Sequence, residues 1–164
     1  MKRRLAAAGA GLVLGLVAAG AAAQDCALHL LEHRSGRELM RLPQPTGTAG
    51  QAPELRVAFE HSVLGTTVID RYRFTPRPVL VEEEFEGEGY GLPASAGPGE
   101  RLERVSPTGS RQRLVLQRPV DPLVVRALPV QHMRLLLPAG ALPLATLGAA
   151  AVEIRAEVCP ATAP

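Results

Sequence analysis

A chain of 164 residues, 46% hydrophobic and 21% charged, can bury one sizeable core and is too apolar for intrinsic disorder. Its 18 basic residues exceed its 16 acids only through Lys2, Arg3 and Arg4; the rest carries 15 against 16, which excludes a basic stripe for nucleic acid. Aromatic content of 3% without Trp speaks against a sugar-stacking or quaternary-amine site, and 15 prolines with 16 glycines imply short elements and many turns.

Residues 1–23 have the form of an export signal. Met1–Arg4 is basic, Leu5–Gly20 is apolar, and Ala21-Ala22-Ala23 places small residues before Gln24 as signal peptidase requires. The competing reading is an uncleaved anchor, since Leu5–Ala23 is 19 residues long, but Ala and Gly contribute little transfer energy. The expectation is a periplasmic protein with a single domain over 24–164 and no membrane insertion after cleavage. Cys26 and Cys159 stand near the two ends of that domain and are expected to pair as a structural clamp. A loop of that length is worth about 4–5 kcal/mol in the chain-entropy model. A redox role would need C-x-x-C, which is absent.

The spacing of prolines favours strands over helices throughout. Ala27–His33 and Arg37–Leu42 flank Arg34-Ser35-Gly36 as an opening hairpin, and Pro43–Pro53 is a loop. Leu55–Glu60 alternates, Leu64-Gly65-Thr66 turns it back, and Thr67–Thr75 places Val68, Tyr72 and Phe74 on one side. Val79–Phe85 follows, then a loop over Gly87–Gly99. Arg101–Ser106 and Arg111–Arg118 bracket Pro107-Thr108-Gly109 as a second hairpin. Leu123–Ala127, Gln131–Leu137 and the strictly alternating Ala149–Val158 complete the strands, with a helical turn expected only within Leu142–Ala151. About nine short strands predict an all-β domain, an antiparallel β-sandwich or a partly closed β-barrel.

Few side chains stand out as chemical. His29 and His33 are expected to face solvent. His61, followed by Ser62 and a glycine turn, ends one strand, and His132 opens the apolar run Met133–Leu137. Either is a hydrogen-bonded core or rim histidine, or a ligand or acid–base group. The pair is expected to share a polar site, with Glu82 as the approaching carboxylate, Ser62 bonding backbone in the turn, and Gly89–Pro93 covering it. The acidic run Glu82–Glu88 reads either as a solvated acidic edge or as a divalent-cation site. No calcium loop, zinc spacing or nucleophile elbow supports a metal, a cofactor or a hydrolase.

The motif His61-Ser62-Val63, with Thr66 and Asp70 after it, then Leu80-Val81-Glu82 with Phe85, then Gly89-Tyr90-Gly91-Leu92-Pro93, then Gln131-His132-Met133-Arg134, forms a recognisable series. In this series the chain resembles the small bacterial exported proteins catalogued as domain-of-unknown-function family eighteen-fifty, over residues 55–155. Thr67 and Ile69 depart from the proline and the second acid frequent in that family. The resemblance implies no assigned activity. It implies a periplasmic accessory role, because such genes commonly stand beside TRAP transporters of the TAXI type. The leading expectation is a non-enzymatic accessory or binding protein whose partner is a transporter component or a small solute. Candidate binding residues are His61, Ser62, Glu82, Gly89, Gly91 and His132. The alternative is a small metal-dependent or acid–base enzyme built on His61, Glu82 and His132.

Overall fold

A computed structural model describes residues 27–44 and 52–157. Among these residues eleven strands run in chain order: β1 Ala27–Glu32, β2 Glu38–Pro43, β3 Glu54–Glu60, β4 Thr67–Phe74, β5 Pro78–Glu86, β6 Arg101–Arg104, β7 Arg111–Pro119, β8 Leu123–Arg126, β9 Arg134–Leu137, β10 Gly140–Pro143 and β11 Ala151–Ala156. They form two antiparallel sheets, β2-β1-β11-β8 and β10-β9-β3-β4-β5-β7-β6. Neither sheet closes on itself, so the fold is a sandwich and not a barrel.

The core lies between the sheets. Leu28, Leu30, Val152 and Ile154 of the smaller sheet face Leu55, Val57, Phe85, Leu114 and Leu116 of the larger one. Each such side chain contributes about 1.5–3 kcal/mol by leaving water. Alternation alone would put Leu80 and Phe85 on opposite faces of β5, yet both belong to the core. A bulge between Leu80 and Glu82 shifts the register by one and reconciles them. The loop after β5 sends Leu92 onto the same core.

Several expectations change. The Glu82–Glu88 run is not an edge: β5 lies inside the sheet between β4 and β7, and arginines on both neighbours pair with Glu82 and Glu84 where solvation was expected. His132 does not open a strand. Pro129–Gln131 forms a 3-10 turn and His132 closes it with φ 47°, so β9 begins two residues later. Proline at the start of that turn fixes the φ the turn needs. The window Leu142–Ala151 does hold a helical turn, at Leu144–Leu147, but Gly140–Pro143 before it pairs with β9 as an additional strand. His29 and His33 point away from the core yet are not simply solvated, since both meet carboxylates.

Cys26 and Cys159 lie outside the described residues. Their described neighbours are paired: the Glu157 N–H donates to the Ala27 carbonyl at 2.9 Å, at the end of the β1–β11 ladder.

Candidate functional site

The register of the larger sheet collects four connections at one end. Glu60 of β3 lies opposite Thr67 of β4, and Glu86 of β5 opposite Arg111 of β7. The turn 61–66, the loop that starts at Gly87 and the turn 105–110 therefore emerge together. The segment 127–133, which enters β9 beside β3, joins them. Thr66 ties two of these connections by donating its hydroxyl to the Glu86 carbonyl at 2.8 Å.

His61 is the centre of this end. Its Nδ1 accepts from the backbone N–H groups of Val63 and Leu64, each at 3.3 Å, and its Nε2–H donates to the Tyr90 carbonyl at 3.1 Å. One imidazole thus closes its own turn and fastens the Gly89–Pro93 loop to it. Ser62, expected to bond backbone here, is exposed, and the turn's side-chain bonds come from His61. Gly89 and Gly91 have φ of +78° and +95° with open space where a Cβ would stand, so they serve the loop's conformation. The close approach is at Gly87, where a Cβ would meet Leu64 Cδ1 at 2.9 Å.

His132 reaches the same end but turns elsewhere. Its Nδ1 lies 2.8 Å from Glu60 Oε2, the carboxylate one residue before His61. The two histidines are neighbours in the fold and share no bonding partner. Glu82 stands apart from both. It faces Arg71, four residues along β4 from Thr67 and so about 13 Å from that end of the sheet. Its Oε2 is 2.6 Å from Arg71 Nη2 and 3.6 Å from Arg113 Nε.

That pairing is part of a lattice on the outward face. Glu54 of β3 bonds Arg71 and Arg73 of β4, Glu82 and Glu84 of β5 bond Arg71 and Arg113, and Glu103 of β6 approaches Arg113 at 3.7 Å. Acidic and basic strands alternate across the sheet. Among the described residues no group of three or more His, Cys, Asp or Glu has a geometry that could hold a metal ion.

The inward face carries a different constellation. Asp70 shares the side of Val68 and Tyr72, lies opposite Glu83, and accepts the Tyr72 hydroxyl at 3.0 Å. Its Oδ1 is buried without a hydrogen-bond partner among the described residues. Burial first, and Glu83 second, push the Asp70 carboxyl up to about 7. Burial also raises Glu83, against the opposing pull of Arg118 at 4.0 Å. The Tyr72 phenol is raised by the same burial and by Asp70. Asp70 was not among the expected inward residues, although its alternation with Val68 and Tyr72 was a signal that could have found it.

His29 had no such signal. It lies between Glu38 Oε2 at 2.5 Å and Glu157 Oε1 at 2.9 Å, partners 9 and 128 residues away, which hold its imidazole above the usual range.

Residues 55–144 match the family described as Domain of unknown function (DUF1850). The chain belongs to this family. No curated protein and no solved structure matches the chain. Apart from Glu54, the first residue of β3, the family region contains every strand of the seven-stranded sheet together with β8, and the whole loop end. β1, β2 and β11 of the smaller sheet lie outside it. No helix among the described residues is long and apolar enough to cross a membrane.

Proposed function

We propose that the protein is a non-enzymatic accessory or binding module of the periplasm, serving TRAP-type solute uptake, and that its contact surface is the loop end of the seven-stranded sheet. The observation that carries this reading is the bonding of His61. Both ring nitrogens are committed to backbone groups, so the ring fixes two loops in place and is not poised to exchange protons with a substrate. The loops it fixes hold Val63 and Tyr90 out at 61% and 70% exposure. Glu82, which an acid–base enzyme would need beside the histidines, is taken up by Arg71. The transport setting rests on the resemblance, since genes of the family commonly stand beside TAXI-type transporters.

Export with cleavage after Ala23 and a Cys26–Cys159 clamp belong to the same proposal. The ladder that ends at Ala27 and Glu157 supports the clamp by bringing the flanking backbone together. Thiol titration of the unreduced, unfolded protein is expected to find no free thiol, and two would overturn the clamp. For the function, the tagged exported protein is cross-linked in cells and recovered. Recovery of a transporter component or a small solute, lost in Tyr90→Ser with unchanged melting, is expected. Recovery of neither overturns the reading.

A further inference from the structure

The large hydrophobic side chains that stand exposed among the described residues are Val63, Tyr90, Val105, Leu128 and Val130. Every one of them belongs to the loop end. Val63 is in the turn after β3, Tyr90 in the loop after β5, Val105 at the close of β6, and Leu128 and Val130 in the segment leading into β9. Tyr90 and Val130 are 70% and 75% exposed, and they project from separate loops instead of lining one groove.

Backbone strain is concentrated there as well. Among the described residues the non-glycine positions with positive φ are Tyr90 and His132, at 54° and 47°. Each is held by a partner, the Tyr90 carbonyl by His61 and the His132 side chain by Glu60. A left-handed non-glycine residue is unfavourable by itself, and here one of them keeps an aromatic ring in water.

Charge supplies the third observation. Among the described residues Arg34, Arg104 and Arg126 make no ion pair, and Arg134 bonds the His132 carbonyl. Arg104 and Arg126 end β6 and β8 at this end of the sandwich, and Arg34 sits in the turn whose His33 N–H donates to the carbonyl of Ala151, the residue opposite Arg126. Of the acids nearby, Glu32 pairs with Arg37, Glu60 stands against His132, and Glu86 accepts the Ser110 hydroxyl and keeps its charge. Glu88 is left, beside Arg104 in an open cleft lined also by Thr108 and Gln112. The described residues that adjoin undescribed chain, Ala27, Gln44, Ala52 and Glu157, lie at the opposite end, where three of them line one cavity with Phe74.

We propose that the loop end docks on an anionic phospholipid bilayer. Val63, Tyr90 and Val130 enter the boundary between headgroups and acyl chains, and Arg104, Arg126 and Arg134 meet the phosphates. Isolated apolar tips suit a fluid surface that closes around each one, tyrosine favours the interfacial layer, and arginine stems lie along apolar surface while the guanidinium stays wet. This inference rests on the loop end being the contact surface and is independent of the uptake setting.

The test is flotation of the exported protein with vesicles of phosphatidylcholine, with and without phosphatidylglycerol. Flotation is expected only with phosphatidylglycerol, and raised salt should reverse it. Arg104→Gln and Arg126→Gln should each weaken binding about fivefold. Tyr90→Ser combined with Val130→Ser should weaken it about tenfold or more with melting unchanged. Arg56→Gln removes an unpaired arginine from the middle of β3 and should leave binding as it is. A wild type that ignores phosphatidylglycerol vesicles overturns the proposal, as does an Arg56→Gln loss equal to that of Arg104→Gln. If the wild type ignores vesicles while Tyr90→Ser loses a cross-linked transporter component, the surface docks protein, and the proposed function survives. If vesicles bind and no component or solute is recovered, lipid docking stands and the uptake reading falls.

Discussion

β4 and β5 pair opposite charges on one face and like charges on the other. Outward, Arg71 meets Glu82 and Glu54; inward, Asp70 meets Glu83 across the same two strands. The register is common to both faces, so neither pairing can be changed alone. What differs is the partner. The outward groups find opposite charges at 2.6–2.9 Å, whereas burial first and Glu83 second push the Asp70 carboxyl up to about 7. One acidic run thereby holds two different kinds of group, set by what the neighbouring strand places opposite each residue.

The largest effect should come from Asp70→Asn. The unfolded carboxyl ionises near 3.8 and the folded one near 7, so folding retains a proton across that window. Wild-type stability therefore falls as pH rises from about 4 to 7 and then levels off. About 3 units correspond to about 4 kcal/mol. The variant should match the wild type near pH 4 and melt well above it at pH 8. Equal pH profiles in thermal denaturation would break the contrast between the faces.

Histidines extend the comparison, because one is bound by backbone and another by carboxylates. His61→Ala removes two hydrogen bonds that close its own turn and one that joins it to the Tyr90 loop, and should cost about 1–3 kcal/mol in urea unfolding. Amide exchange should rise first in 62–65 and 88–92. On the outward face, Arg71→Met leaves Glu82 and Glu54 short of a partner. It should cost about 1–2 kcal/mol, and the loss should shrink in high salt.

The smallest effect belongs to His29→Gln. Glu38 and then Glu157 raise the folded imidazole above 6.5, so its stabilisation is complete below pH 6.5 and disappears as pH rises through the folded value. Solvent screening keeps it under about 1 kcal/mol. The variant should melt lower than wild type at pH 5.5 and together with it at pH 9. A difference that persists at pH 9 would show that His29 acts by packing.

Much of the domain is legible in the residues. Alternation in β3 and β11 predicts that Leu55, Val57, Val152 and Ile154 are buried, while Ala58 and Glu153 are buried against it, and the hairpin turns at Arg34-Ser35-Gly36 and Pro107-Thr108-Gly109 stand where expected. The acidic run was misjudged because strand neighbours are a non-local property: nothing in Glu82–Glu88 shows that arginines lie on both sides. The bulge at Leu80–Glu82 defeated simple alternation in the same strand. The loop expected to cover the site begins at Gly89, while the glycine in close approach is Gly87. Loop chemistry alone cannot show which neighbour a Cβ would strike.

The sequence by itself determined the all-β class, the strand periods and the residues that mark the loop end. It could do so because hydrophobic alternation and turn residues act over a few positions along the chain. Tertiary structure decided the rest: that the molecule is an open sandwich, that His61 serves backbone while His132 serves Glu60, and that Asp70 is buried beside Glu83. Those outcomes depend on which strands become neighbours. That choice is made by the burial of both sheets together, and no local stretch of sequence contains it.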